Sequence, residues 1–134
     1  MSRWKSLGIH WHAYSERSET PTRARSTRQE RLATPPQAVF ATPEQAADWI
    51  AVMTGRHSHR QPVWLIGSDG DWAAVGDDGH VLHERHSALV GLRRGDSHYS
   101  DCRGAEGRLH LWVEAVTPAE CAQEHHASWT SELP

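Results

Sequence analysis

The chain of 134 residues contains one lysine, Lys5, and one phenylalanine, Phe40. It has two cysteines, Cys102 and Cys121, too few for the disulfide framework of a small secreted domain. No apolar run approaches the ~20 residues that a membrane span requires. The opening stretch, MSRWKSLGIHWHAY, lacks the apolar segment of a signal peptide. These absences predict a cytoplasmic protein with no membrane segment. A surplus of positive charge is also missing: 14 Lys and Arg stand against 17 Asp and Glu, a formal net charge of −3. A general nucleic-acid binder needs a clustered cationic surface to neutralise phosphates, so the balance argues against one. There is no G-x-S-x-G elbow, no phosphate-binding P-loop, no H-E-x-x-H pair and no acidic calcium loop of full length. No catalytic residue can be named from pattern, because a Ser, a His and an Asp can be picked out of almost any chain. The expectation is a protein without enzymatic activity.

What the chain does hold is 7 Trp, 10 Gly and 11 His, with arginine supplying nearly all the positive charge. That bias is the signature of a GC-rich coding sequence, as in high-GC bacteria and their phage or mobile elements. The length suits a single domain, 1–134, able to bury one core.

Leu7, Ile9, Trp11 and Ala13 alternate with Gly8, His10, His12 and Tyr14. Period two predicts a strand over 6–14, with Ile9 and Trp11 in the core and His10 and His12 on the other face. Ser15 to Gln37 has few apolar residues, three prolines and Arg17, Arg23, Arg25, Arg28 and Arg31. It reads as a flexible Arg-rich loop, with the main α+β core following over 38–134. Thr42, Pro43 and Gln45 open a helix through an N-cap, a first-turn proline and a capping-box spacing. Ala46, Trp49, Ile50 and Met53 form its buried stripe, and Gly55 is placed to stop it.

From Pro62 to Arg85 the chain reads PVWLIGSDGDWAAVGDDGHVLHER. Two Asp-Gly turns separate short apolar runs, which predicts an antiparallel β-meander with strands at Val63–Ile66, Trp72–Val75 and His80–Arg85. A fourth strand is read over Ser87–Arg93, then a loop to Gly107. Arg108 to Ala115 alternates as a strand, and Thr117, Pro118 and Glu120 repeat the helix-opening pattern. The fold class is therefore α+β: an antiparallel meander sheet with two helices packed on one face and a long Arg-rich loop after the first strand.

Three kinds of site suggest themselves. His98 and Cys102 are spaced H-x3-C, and Cys121 and His125 C-x3-H. Residues four apart on a helix share a face, so Cys121 and His125 could hold one zinc ion, with His98 and Cys102 completing a Cys2His2 set. The alternatives are that Cys121 is a small core residue, or that Cys102 and Cys121 pair, which a reducing cytoplasm disfavours. His80, His83 and His86 should diverge on a strand and hold no ion. The histidine pairs at His10–His12 and His57–His59 could each contribute to a pocket. Asp69, Asp71, Asp77 and Asp78, with His80 and His83, would present an acidic, polar meander edge to a protein partner. The Arg-rich loop could touch phosphate, and that gives a third reading as a nucleic-acid-associated factor.

The element order over Thr42–Met53, Val63–Arg85 and Arg108–Ala127 resembles that of small immunity proteins from bacterial polymorphic-toxin systems. The resemblance covers about two thirds of the chain and rests on order and length, without a shared motif. It implies a non-catalytic protein that binds and blocks a cognate partner, with no cofactor. The leading expectation is thus a protein-binding accessory, immunity or inhibitor protein, and the alternative is a small zinc-binding domain.

Overall fold

The computed structural model describes residues 2–18, 26–57, 62–64, 72–74, 78–104 and 107–121. A four-stranded antiparallel sheet forms the centre, in the order β2-β1-β6-β5. Strand β1 (His10–Ser18) and strand β6 (Gly107–Val116) lie side by side in the middle. Strand β2 (Ala38–Phe40) borders β1, and β5 (His98–Gly104) borders β6. Helices α3 (Pro43–His57) and α4 (Asp78–Leu92) cover one face of the sheet. The class is the expected one, an α+β fold with two helices on one face of an antiparallel sheet.

The strands come partly from other segments than the sequence predicts. Strands β3 (Pro62–Trp64) and β4 (Trp72–Ala74) do pair antiparallel, with Pro62 opposite Ala74 and Trp64 opposite Trp72. They form a separate two-stranded sheet. The predicted third and fourth meander strands, His80–Arg85 and Ser87–Arg93, are helix α4 instead. Asp78 and Gly79 open that helix rather than turning a hairpin. The apolar residues Ala88, Leu89 and Leu92 recur at helical spacing and are buried, and that burial outweighs the local turn signal. The predicted loop before Gly107 also contains β5, an edge strand with small residues, Ser100 and Cys102, facing the helices.

The Arg-rich segment is likewise more structured than a loop. Ser15–Ser18 prolong β1, and Arg28–Leu32 form a short helix, α2. Thr27 caps it: its hydroxyl accepts from the Glu30 amide at 3.2 Å, and the Glu30 carboxylate accepts from the Thr27 amide at 3.2 Å. A first short helix, α1 (Arg3–Ser6), precedes β1 and ends at Gly8, whose φ of +68° is the left-handed conformation that glycine adopts without strain.

Helix α3 forms as its sequence predicts. Thr42 Oγ1 accepts from the Gln45 amide at 3.2 Å, although the Gln45 side chain reaches the Ala41 amide rather than that of Thr42. The helix runs through Gly55 to His57, so Gly55 does not stop it. A Cβ at Gly55 would meet Val81 of α4 at 3.6 Å, so the two helices approach closely there. Trp11, Ala13, Phe40, Trp49, Ile50, Leu89, Leu92, Leu111 and Val113 form one core between sheet and helices. Trp11, Ala46, Trp49, Ile50 and Met53 are buried as expected, Ile9 is partly buried against them, and Leu111 and Val113 of β6 join the same core.

Candidate metal centre on the reverse face

Alternation along β1 sends Trp11 and Ala13 to the helix face and His10, His12, Tyr14 and Glu16 to the reverse face. Opposite them on β6, Glu114 faces His12, Trp112 faces Tyr14 and His110 faces Glu16. A reverse face of this composition belongs in water. Here it is largely closed: His12, Tyr14, His110, Trp112 and Glu114 are all buried. Arg28 and Arg31 of helix α2 reach over Glu114 and Trp112, and Cys121, after the turn that follows β6, reaches His12.

The turn carries Cys121 across the sheet to the histidines. His10 Nε2 and His12 Nε2 are 2.9 Å apart, and Cys121 Sγ lies 3.7 Å from His12 Nε2. Donor atoms of all three residues fall within 4.8 Å of one another, the one such group found among the described residues. Metal–nitrogen bonds of about 2.0–2.1 Å and a metal–sulfur bond of about 2.3 Å place tetrahedral donors roughly 3.3 Å (N to N) and 3.6 Å (N to S) apart. The measured separations straddle those values. Widening the His10–His12 separation by about 0.4 Å brings it to the tetrahedral nitrogen–nitrogen value. Two imidazoles and a thiolate are borderline-to-soft donors, a set suited to zinc.

Tyr14 orients the inner histidine. Its hydroxyl lies 3.2 Å from His12 Nδ1. In the tautomer that donates Nδ1–H to Tyr14, His12 Nε2 keeps its lone pair and points it at His10 and Cys121. Burial, followed by the charges of Glu114 and Cys121, pushes the Tyr14 pKa up to about 12, so the hydroxyl stays neutral.

Glu114 is a carboxylate with 4% exposure and requires compensating charge. Arg28 Nη1 donates to its Oε2 at 3.1 Å, and Arg31 Nη2 approaches the same oxygen at 3.8 Å. Arg28 Nη2 also donates to the Ala115 carbonyl at 3.1 Å and to Glu120 Oε2 at 2.9 Å. Desolvation lowers the Arg28 pKa, and its bonds to Glu120 and Glu114 more than offset this, leaving it raised. Glu120 is held below its ordinary value, first by the Thr117 backbone amide and then by Arg28.

A second polar cluster occupies the far end of the same face. His110 is buried, with Tyr99 Oη 2.6 Å from its Nδ1 and Ser18 Oγ 2.9 Å from its Nε2. A serine beside an imidazole is the geometry of a nucleophile and its base. The outer group here is a neutral phenol, where a carboxylate would stabilise the imidazolium that forms on proton transfer. The cluster therefore reads as a hydrogen-bond network that satisfies a buried histidine.

The zinc set expected from spacing is not brought together. His98 and Cys102 sit on β5, two alternations apart and on the helix face, and Cys102 is part of the core. Residues four apart on a strand are about 13 Å apart along it, too far to share an ion. Cys121 covers the opposite face of the sheet, and His125 lies outside the described residues. The two cysteines form no disulfide with each other.

The expected partner edge falls in part outside the described residues. Asp69, Asp71 and Asp77 lie outside the described residues, and Asp78 opens α4. His80 stands on α4 3.6 Å from Glu84, and His83 is exposed one turn on. These histidines do not diverge along a strand as predicted. They share a helix, yet form no metal-ligating group among the described residues.

Sequence reading placed His10 and His12 together on one face but had no third ligand for them. The available signal was an H-x-H on a strand whose other face is the core; what it lacked was the pairing of β1 with β6, which delivers Cys121. A scan of protein-family models, a search of curated proteins and a search of solved structures each returned no match to the chain.

Proposed function

We propose that this protein is a small metal-binding domain that takes a zinc ion through His10, His12 and Cys121. The observation that carries the reading is the convergence of these three donors within 4.8 Å of one another, with Cys121 brought to the His10–His12 pair from the far end of the sequence. The burial of His12 supports it, and Tyr14 fixes the orientation of that ring. The protein-partner expectation gains no comparable feature among the described residues, since three of its four aspartates lie outside them.

Titration with zinc, followed by native mass spectrometry, tests the proposal. One zinc per chain is expected in the unsubstituted protein. His12→Ala and Cys121→Ser should abolish stoichiometric binding, whereas His98→Ala and the His80/His83/His86→Ala triple variant should retain it. Absence of stoichiometric binding, or its survival in Cys121→Ser and His12→Ala, would overturn the reading.

A further inference from the structure

The two halves of the candidate centre are held in different ways. His10 and His12 are locked into the central β1–β6 ladder, and His12 is also paired with Val39 of β2. Cys121 follows a turn, Thr117–Glu120, that leaves the end of β6. Within the turn, the Cys121 amide donates to the Thr117 carbonyl at 3.1 Å, and Glu120 Oε1 accepts from both the Thr117 amide and its hydroxyl at 3.1 Å. Pro118 packs against Gly8, where a Cβ would stand 3.1 Å from Pro118 Cγ. The other oxygen of Glu120 is taken by Arg28.

Arg28 thereby joins three parts of the molecule. One guanidinium nitrogen reaches Glu114, the strand partner of His12; the other reaches the Ala115 carbonyl and Glu120, next to Cys121. The planar fork of arginine suits this task, and a lysine ammonium could not span the same acceptors. Helix α2, which carries Arg28, has five residues, none of them fully buried. Its attachment to the sheet runs through the polar bonds of Arg28 and through Arg31, which pairs with Glu114 and packs on Trp112. An element fastened this way belongs to the low-stability end of a fold, where opening costs little.

We infer that Arg28 is a positioning residue for the metal centre, pinning the Cys121 turn to the sheet so that thiolate ligation and the docking of α2 stabilise each other. The inference rests on the metal-binding reading above. An ion on Cys121 fixes the turn, a fixed turn presents Glu120 to Arg28, and the occupied Arg28 holds α2 on the sheet. Linkage makes the effect reciprocal: whatever factor α2 docking contributes to metal affinity, the metal contributes to α2 docking. Helix α2 then has a role beyond resting on the sheet: it holds the turn that carries Cys121.

Cobalt(II) titration of the full chain separates this coupling from the underlying reading. Cobalt shows both d–d absorption, which reports occupancy, and a thiolate-to-metal charge-transfer band, which reports Cys121. The unsubstituted protein should show both, with the charge-transfer band lost in Cys121→Ser. Arg28→Gln should weaken binding about 10–100-fold, as loss of groups that orient ligands typically does, and should depress the charge-transfer band relative to the d–d absorption. Arg28→Lys should restore it only in part. Glu120→Gln, at an exposed position, tests the same bond from the other side if Arg28→Gln fails to fold. Amide exchange across 26–33 should slow on adding zinc to the unsubstituted protein, but not to Cys121→Ser. If the unsubstituted protein binds no cobalt, the metal reading falls and the inference with it. If it binds with the Cys121 band, and both Arg28→Gln and Glu120→Gln match it in affinity and spectrum, the metal reading stands and the coupling is overturned.

Discussion

The guanidinium of Arg31 sits 4.2 Å from the centroid of the Trp112 ring. The arginine side chain is only 11% exposed and also approaches the buried carboxylate of Glu114. A partly desolvated cation over an indole face contributes on the order of 1–2 kcal/mol. Arg31→Ala should therefore lower unfolding free energy by about 1–3 kcal/mol, since it also removes one of two positive partners of Glu114. Arg31→Lys should recover only part of this, because an ammonium lacks the planar stacking surface. Urea denaturation of the three proteins measures the difference.

The helix-face core makes a second prediction. Trp49 is 1% exposed, and Phe40 packs on it with ring centroids 6.4 Å apart. Trp49→Ala should cost about 3–5 kcal/mol, the transfer energy of the indole plus the cavity it leaves. A loss within error of zero in chemical denaturation would contradict the placement of α3 against the sheet.

His98 gives the protein a pH-dependent component of stability. Burial lowers its pKa, partly opposed by Glu84, and its Nε2 is buried without a hydrogen-bond partner. The folded state therefore prefers the neutral ring. Its contribution is fully present above the unfolded value of about 6.5 and is lost as pH falls through the lower folded value. Stability followed from pH 7.5 downward should decline in this window, and His98→Gln should flatten that part of the curve.

Gly8 combines a left-handed φ with close contact to Pro118. Gly8→Ala should destabilise by about 1–2 kcal/mol from the backbone conformation alone, since an L-residue pays that much in this region. Thermal melting checks the value.

Legibility in the sequence followed the strength of the local pattern. The alternation in Arg108–Ala115 and the cap and stripe of Thr42–Met53 both gave the right element, because local preference and burial agree there. In 78–92 they disagree: Asp78-Gly79 signals a turn, while Ala88, Leu89 and Leu92 have helical spacing, and packing against α3 decided the outcome. Helix α2 was hidden by its polar composition, although Thr27 and Glu30 spell a capping box. At the candidate centre, the shared face of His10 and His12 follows from period two alone. Cys121 could not be joined to them by any local rule, and its i, i+4 relation to His125 drew attention to a different set. With 98–104 a strand, the rise of about 13 Å between His98 and Cys102 forbids that set.

The sheet is built from the outside of the chain inward. Its two central strands, β1 and β6, are the first and last strands among the described residues, paired from His10–Val116 to Ser18–Arg108. The β5–β6 hairpin is local, but joining it to β1 and β2 requires a ladder whose halves are separated by almost the whole chain. Closing so large a loop must precede most of its rewards, and folds dominated by such non-local contacts assemble slowly. During synthesis, β1 and its histidines would leave the ribosome long before their central neighbour. Until β6 follows, His10 and His12 have no buried site, and the edge of β1 that β6 will cover stands open to other strands.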